Sequence, residues 1–279
     1  MRRTPPRPHH PPPPGHPHGQ GDRPGAPPRR GPHPHAPSHR EGGLWLYGLH
    51  PVAAALANPA RRLRRLLLTP EAEAALAARL PPPWRVAPER AERARFATFL
   101  PEDAVHQGAA LLADPLPPLP LDRALAHSEG PVLVLDQVTD PRNVGAILRS
   151  AAAFGAAALV LQDRHAPPET GALARAASGA LEIVPVVREV NLARVLGELK
   201  QAGLWVVGLD AGGPVTLAQV VQELHGRRVA LVLGAEGEGL RRLTRETCDE
   251  LARLPIAPEM ESLNVSAAAA VALYELARQ

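Results

Sequence analysis

The chain has 279 residues, 45% of them hydrophobic, with a formal net charge of +3 and one cysteine, Cys248. That length suffices for two modest domains, and a lone cysteine excludes an internal disulfide or a cysteine-rich metal framework. No apolar run reaches the roughly 18–20 residues of a membrane helix, and the basic N-terminus lacks the apolar stretch of a secretory signal, so a cytoplasmic protein with no membrane partner is expected.

Residues 1–43 hold 14 of the 34 prolines and 7 of the 12 histidines, with almost no aliphatic side chains. Such a segment cannot bury enough apolar surface to offset its ordering entropy, which predicts a disordered tail. Seven arginines against Asp22 and Glu41 give it +5, so residues 44–279 sum to about −2. The chain's basicity therefore belongs to the tail. It reads equally as a salt-dependent phosphate-binding arm or as a low-complexity extension.

Residues 44–113 read as a small α/β domain. The order is a strand over 44–48, a helix over 50–56 with Pro51 in its first turn, and a strand over 64–68. A helix over 71–79, a strand over 84–86, a helix over 89–99 and an apolar stretch over 109–112 follow. Arg61, Arg62, Arg64 and Arg65 form the densest basic cluster outside the tail. It is either a solvated charge run or a face for RNA. The four prolines of residues 114–120 predict a stiff linker, extending to residue 129.

Residues 130–279 alternate strands and helices. Short apolar strands are expected over 131–136, 157–162, 181–187, 204–209, 228–234 and 251–256. Helices are expected over 143–154, 171–177, 191–202 and 263–277. Near-continuous apolar strands separated by helices imply a buried parallel sheet, whose ligand belongs beyond the strands' carboxyl ends.

Three motifs fall at such ends. The first, Asp140-Pro141-Arg142-Asn143-Val144-Gly145-Ala146-Ile147-Leu148-Arg149, sets Asn143 and Arg149 six residues apart at a helix start. The second, Gly234-Ala235-Glu236-Gly237-Glu238-Gly239, has neither P-loop nor dinucleotide spacing and no lysine. Its two carboxylates would repel phosphate and suit a cationic ligand, while its glycines allow close backbone approach. A plain tight turn is the alternative. The third, Ser262-Leu263-Asn264-Val265-Ser266, opens an alanine-rich helix, whose unpaired N–H groups and positive dipole end suit polar ligands.

In this order the three motifs resemble those of the SpoU/TrmH family of the SPOUT class, S-adenosylmethionine-dependent RNA ribose 2′-O-methyltransferases. The resemblance is strong over residues 130–279. Residues 44–113 resemble, through Tyr47-Gly48-Leu49-His50-Pro51-Val52 and His106-Gln107-Gly108, the RNA-gripping domain of the family's bacterial 23S ribosomal-RNA guanosine enzymes. That domain is like a ribosomal protein in fold. The resemblance implies a parallel-sheet domain with a trefoil knot, and catalysis by Asn143, Arg149, Glu236, Ser262 and Asn264. It also implies a cofactor pocket lined by Gly234, Leu254 and Leu263, no metal, and an active site completed by homodimerisation. One departure stands out. Pro258 occupies a position where the family has glycine, which restricts φ and removes a donor.

The implied reaction is an in-line displacement at a sulfonium methyl group. Arginine almost never loses its proton, so Arg149 is expected to hold the adjacent phosphate and stabilise charge on oxygen. The final proton acceptor is the phosphate, Glu236 or water. Asn143, Ser262 and Asn264 would orient ribose and cofactor. The competing readings are a transfer-RNA ribose methyltransferase, a non-catalytic RNA-binding protein, and a nucleotide-binding α/β enzyme.

Overall fold

The computed structural model describes residues 43–278 apart from 118 and 127, so the tail expected over 1–43 lies, but for Gly43, outside the described residues. The chain opens with β1 (Leu44–Tyr47), α1 (Leu49–Ala57), β2 (Leu63–Leu68), α2 (Pro70–Arg79), β3 (Pro88–Arg90), α3 (Arg93–Phe96) and β4 (Ala109–Ala113). These strands form a four-stranded sheet in the order β1-β4-β2-β3. β4 runs antiparallel to β1 and β2, and β2 parallel to β3. Both faces of β2 are covered. Leu66 and Leu68 point into the main core, and Leu67 into a smaller cluster with Tyr47 and Phe96. Thr69 starts α2 by accepting from the Ala72 N–H, with Pro70 at the first helical position.

Two expectations fail in this region. Residues 84–86 form no strand. The prolines at 81–83 supply no donors, and side chains pin the segment instead. Trp84 donates to the Leu80 carbonyl at 2.8 Å, and Arg85 to the Asn58 carbonyl at 2.5 Å. The helix expected over 89–99 shrinks to Arg93–Phe96, because residues 88–90 are taken up by pairing with Leu66–Leu68.

The second sheet follows α4 (Leu121–Leu125). Its elements are β5 (Val132–Asp136), α5 (Pro141–Ala153), β6 (Ala158–Gln162), α6 (Gly171–Ala177), β7 (Val186–Glu189), α7 (Leu192–Gln201), β8 (Trp205–Leu209), β9 (Val215–Thr216), α8 (Leu217–Glu223), β10 (Val229–Gly234), α9 (Arg242–Thr247), β11 (Glu250–Arg253) and α10 (Val265–Ala277). Seven parallel strands lie in the order β7-β6-β5-β10-β8-β11-β9. The chain builds outward from β5 to β7, crosses over, and returns to insert β10 between β5 and β8. The expected α/β fold with a parallel sheet is therefore observed.

Alternate residues of the central strands bury on opposite faces. Leu133, Leu159 and Leu231 pack under α5, α6 and α10, while Val134, Val160 and Val232 pack under α7. The first face continues into the four-stranded sheet as one cluster. Gly171 makes this closeness possible, since a Cβ there would collide with the Trp45 carbonyl and the Tyr47 ring.

The run expected as a strand over 181–187 splits into a 3-10 turn at Ala180–Glu182 and then β7. Parts of the segment expected as a stiff linker are anchored. Leu121 and Ala124 are buried against the second sheet, and Arg228 donates to the carbonyls of Ser128 and Gly130 at 2.6 and 2.9 Å. Among the described residues no helix is long and apolar enough to cross a membrane.

The basic run at 61–65 is consumed by carboxylates. Arg61 has a fully buried side chain and reaches Glu182 at 2.6 Å and Glu169 at 2.5 Å. Arg62 and Arg64 pair with Asp114, and Arg65 with Glu89 at 2.7 Å. Each of the four arginines thus has a carboxylate within 4.0 Å, but only Arg61 is buried, and Arg62 stays 83% exposed. Arg61 also ties the four-stranded sheet to the α6 region of the parallel sheet. Burial pushes the Glu169 carboxyl up, against the pull of Arg61.

Candidate active site

The site lies at the carboxyl ends of β5, β10 and β11, where a parallel sheet exposes its loops. After β5, Asp140 caps α5 by accepting from the Arg142 N–H at 2.8 Å, and Pro141 takes the first helical position. This sets Asn143 in the first turn, with Val144, Ile147 and Leu148 buried beneath. After β10, residues 235–239 make a tight turn closed by the Gly239 N–H to the Ala235 carbonyl at 3.0 Å. Gly237 and Gly239 have φ of 83° and 67°, the left-handed region that side chains disfavour. A Cβ on Gly234 would fall on the backbone of Gly239 and Leu240, so the turn folds back on the strand end. The motif is therefore a tight turn, and that turn presents Glu236.

After β11 the chain runs irregularly to Asn264, which caps α10. Its Oδ1 accepts from the Ser266 N–H at 2.9 Å, the Ser266 hydroxyl at 2.6 Å and the Ala267 N–H at 3.4 Å. Pro258 sits at the second position of a turn closed by the Met260 N–H to the Ala257 carbonyl at 3.0 Å. Proline's fixed φ suits that position and its missing N–H is not needed there. Pro258 is therefore compatible with this turn.

The three motifs meet in one hydrogen-bonded cluster. Glu236 Oε1 accepts from Asn264 Nδ2 at 2.5 Å, from Asn143 Nδ2 at 3.1 Å and from the Val265 N–H at 3.4 Å. Asn264 Nδ2 also donates to Asn143 Oδ1 at 3.1 Å. A carboxylate at the N-terminus of α10 is favoured by the helix dipole. Of the other expected residues, Leu254 is half-buried against the core, and Leu263 is 37% exposed beside the cluster. Ser262 and Arg149 are exposed, and their side chains make no hydrogen bond or ion pair among the described residues. Arg149 lies six residues beyond Asn143, about 9 Å along α5, and does not join the cluster within one chain. One supporting pair escaped the sequence reading. Asp136 is fully buried at the end of β5 and accepts from Arg241 Nε at 2.7 Å and its N–H at 3.1 Å, fixing the chain just after the glycine turn. A carboxylate ending the apolar run Val132–Asp136 was the available signal.

Residues 130–274 match the SpoU rRNA Methylase family, and residues 45–119 match the family described as RNA 2′-O ribose methyltransferase substrate binding. The chain belongs to the SpoU family. Among its relatives are two 23S rRNA (guanosine-2′-O-)-methyltransferases named RlmB. That of Pseudomonas syringae pv. tomato is 42% identical over 246 residues, covering 84% of this chain and 95% of the relative. That of Vibrio cholerae is 42% identical over 240 residues, covering 84% and 96%. A solved SpoU methyltransferase, AviRb from Streptomyces viridochromogenes in complex with AdoMet, is 27% identical with a TM-score of 0.69, covering 86% of this chain and 91% of that one.

Proposed function

We propose that this SpoU-family chain transfers the methyl group of S-adenosylmethionine to a ribose 2′-hydroxyl of RNA, at a guanosine of 23S ribosomal RNA. The observation that carries this reading is the Asn143–Glu236–Asn264 cluster, built from three separate motifs at the strand ends of a parallel sheet. Relatives of matching length that bear this activity in their names support the substrate.

The residues present fit the cofactor. The turn after Gly234 carries Glu236 and Glu238, and the apolar Leu263 precedes Asn264, which bonds Glu236, a setting for a cationic sulfonium with an apolar body. When bound, S-adenosylmethionine supplies an electrophilic methyl group on a leaving group that departs neutral. The protein must then place the 2′-oxygen in line behind that methyl group, and positioning of this kind is worth roughly 7–11 kcal/mol. Glu236 locks the Asn143 and Asn264 amides in place through Oε1, leaving Oε2 as the cluster's open proton acceptor. Asn143, Asn264 and Ser262 orient the ribose and the cofactor. Arg149 clamps the neighbouring phosphate through its planar fork and stabilises charge building on the 2′-oxygen.

Residues 44–113 take the RNA, residues 114–129 join the parts, and residues 130–279 carry the chemistry through a trefoil knot, an arrangement that the insertion of β10 between earlier strands supports. The enzyme acts in the cytoplasm as a homodimer. Arg149 stands apart from its own chain's cluster, and Val271 and Tyr274 leave an apolar stripe on α10 that is 49% and 55% exposed. Both features support completion of the site by a second copy. The test is methyl transfer in vitro to 23S ribosomal RNA, followed by digestion to nucleosides and mass spectrometry. The expected product is 2′-O-methylguanosine, whereas base methylation or no incorporation would contradict the reading.

A further inference from the structure

The arginines of this chain fall into two groups. Those of the 61–65 run, together with Arg194, Arg241 and Arg245, have carboxylate partners. A second group converges on the seam between the two sheets with little acidic compensation. Arg79, at the end of α2, places Nη1 2.9 Å from His50 Nε2 on α1. The contact is exposed, and at this distance the guanidinium donates to the neutral imidazole nitrogen. Arg175, on α6 of the parallel sheet, crosses the seam and donates to the Val105 carbonyl at 3.3 Å. Its side chain lies over Gly48, where a Cβ would touch its Cδ at 3.1 Å and Gln107 Oε1 at 3.3 Å. Gln107 Oε1 in turn accepts from the Leu49 N–H at 3.2 Å. Desolvation first, and then the charges of Arg79, Arg175 and Arg149, hold the His50 imidazole below its usual range. The field of Arg149, a residue of the proposed active centre, therefore reaches this seam. Asp103 is the carboxylate at its rim, and it is engaged by Arg142 at 3.3 Å.

Arg79, Arg175 and Arg149 together set up a positive field at His50, and such a field attracts an anion. Arginine forks take phosphate in a bidentate way, and a polyanion can span several of them. We propose that His50, Arg79 and Arg175 form a phosphate-binding saddle across the seam between the two sheets, which seats the RNA backbone and leads it toward Arg149. This rests on the RNA methyltransferase reading and adds which residues hold the strand. It assigns the RNA contact to the seam and not to the acid-paired run at 61–65, and it gives Arg175, from the methyltransferase part, a role in substrate binding. His50, Arg79 and Arg175 are positioning residues, because they touch the substrate strand away from the reacting atoms.

The test compares the full-length protein with the Arg79→Ala/Arg175→Ala double variant, using a 23S ribosomal RNA fragment as the probe. Fluorescence anisotropy over a salt series reads the affinity and its salt slope. Each lost phosphate contact lowers that slope by about 0.7–0.9. The double variant should therefore lose about 1.4–1.8 from the slope and about tenfold or more in affinity. KM for RNA should rise, with kcat and S-adenosylmethionine affinity within about threefold of wild type. Arg79→Lys/Arg175→Lys, which keeps the charge, should restore most of the slope. Arg194→Ala, whose side chain is held by Glu189 and Glu198, should change neither quantity. A double alanine variant with wild-type slope and affinity would overturn the saddle, as would an equal loss from Arg194→Ala. A wild-type protein that binds RNA through the saddle and transfers no methyl group would leave the saddle standing and defeat the methyltransferase reading instead.

Discussion

Arg61→Ala is predicted to be a severe change although it lies outside the active site. The wild-type side chain is fully buried and makes five hydrogen bonds, through Nε, Nη1 and Nη2, to Glu182, Glu169 and the Asp114 carbonyl. Its two carboxylate partners have side chains only 5% and 16% exposed. Truncation strands both of them without a counter-charge, and breaking a buried pair in this way costs about 3–5 kcal/mol. For a protein of this size that corresponds to a melting temperature lower by about 6–20 °C. Arg65→Ala breaks a pair whose side chains are 40% and 43% exposed, and should cost no more than about 1 kcal/mol. Urea denaturation of both variants reads the difference. The pH dependence supplies a second readout. Burial already raises the Glu169 carboxyl, and losing Arg61 removes the opposing pull. A carboxyl whose folded pKa is raised stabilises the fold while protonated and loses that contribution as pH rises through the folded value. The Arg61→Ala deficit should therefore shrink as pH falls from about 7 to about 5. A deficit equal to that of Arg65→Ala, flat across this range, would refute the reasoning.

Two further predictions concern the site. Gly234→Ala drives a methyl group into the Gly239 and Leu240 backbone, so calorimetry should show at least about tenfold weaker S-adenosylmethionine binding, with a stability loss of about 1–3 kcal/mol. Asn264→Ala removes the cap of α10 and should cost about 1 kcal/mol by urea denaturation, while Asn264→Ser restores most of that stability but not methyl transfer, because serine caps a helix yet lacks the amide that reaches Glu236.

The parallel sheet was legible because its strands are buried on both faces and so read as apolar runs, as in Val132–Asp136 and Val229–Gly234. Capped helices were legible too, and Gly171–Ala177 falls where expected. The failures share a cause. Leu181 to Val187 is apolar but for Glu182 and Pro185, and so short an apolar run cannot say whether it will turn or extend; Pro185 divides it. Short elements such as α8 were missed although Thr216 and Gln219 form a capping box, since seven residues show too little periodicity. The motif residues Asn143, Glu236 and Asn264 stood out as polar positions at strand ends, but their joining through one carboxylate oxygen depends on strand order. The partners of Arg61 were hidden for the same reason, lying 108 and 121 residues away in sequence. A run of four arginines looks the same whether its acids are solvent-borne or folded against it.

The central claim is that the three-motif cluster and Arg149 perform the transfer. Its most direct test is the single-turnover rate of methyl transfer by Arg149→Ala, measured with saturating S-adenosylmethionine and RNA. Removing one group that stabilises charge in the transition state typically costs about 100–1,000-fold, and the account predicts a loss in that range with cofactor affinity within about threefold of wild type. Arg149→Lys should recover only a small part, since a point charge cannot reproduce the bidentate fork. A wild-type single-turnover rate from Arg149→Ala would contradict the account.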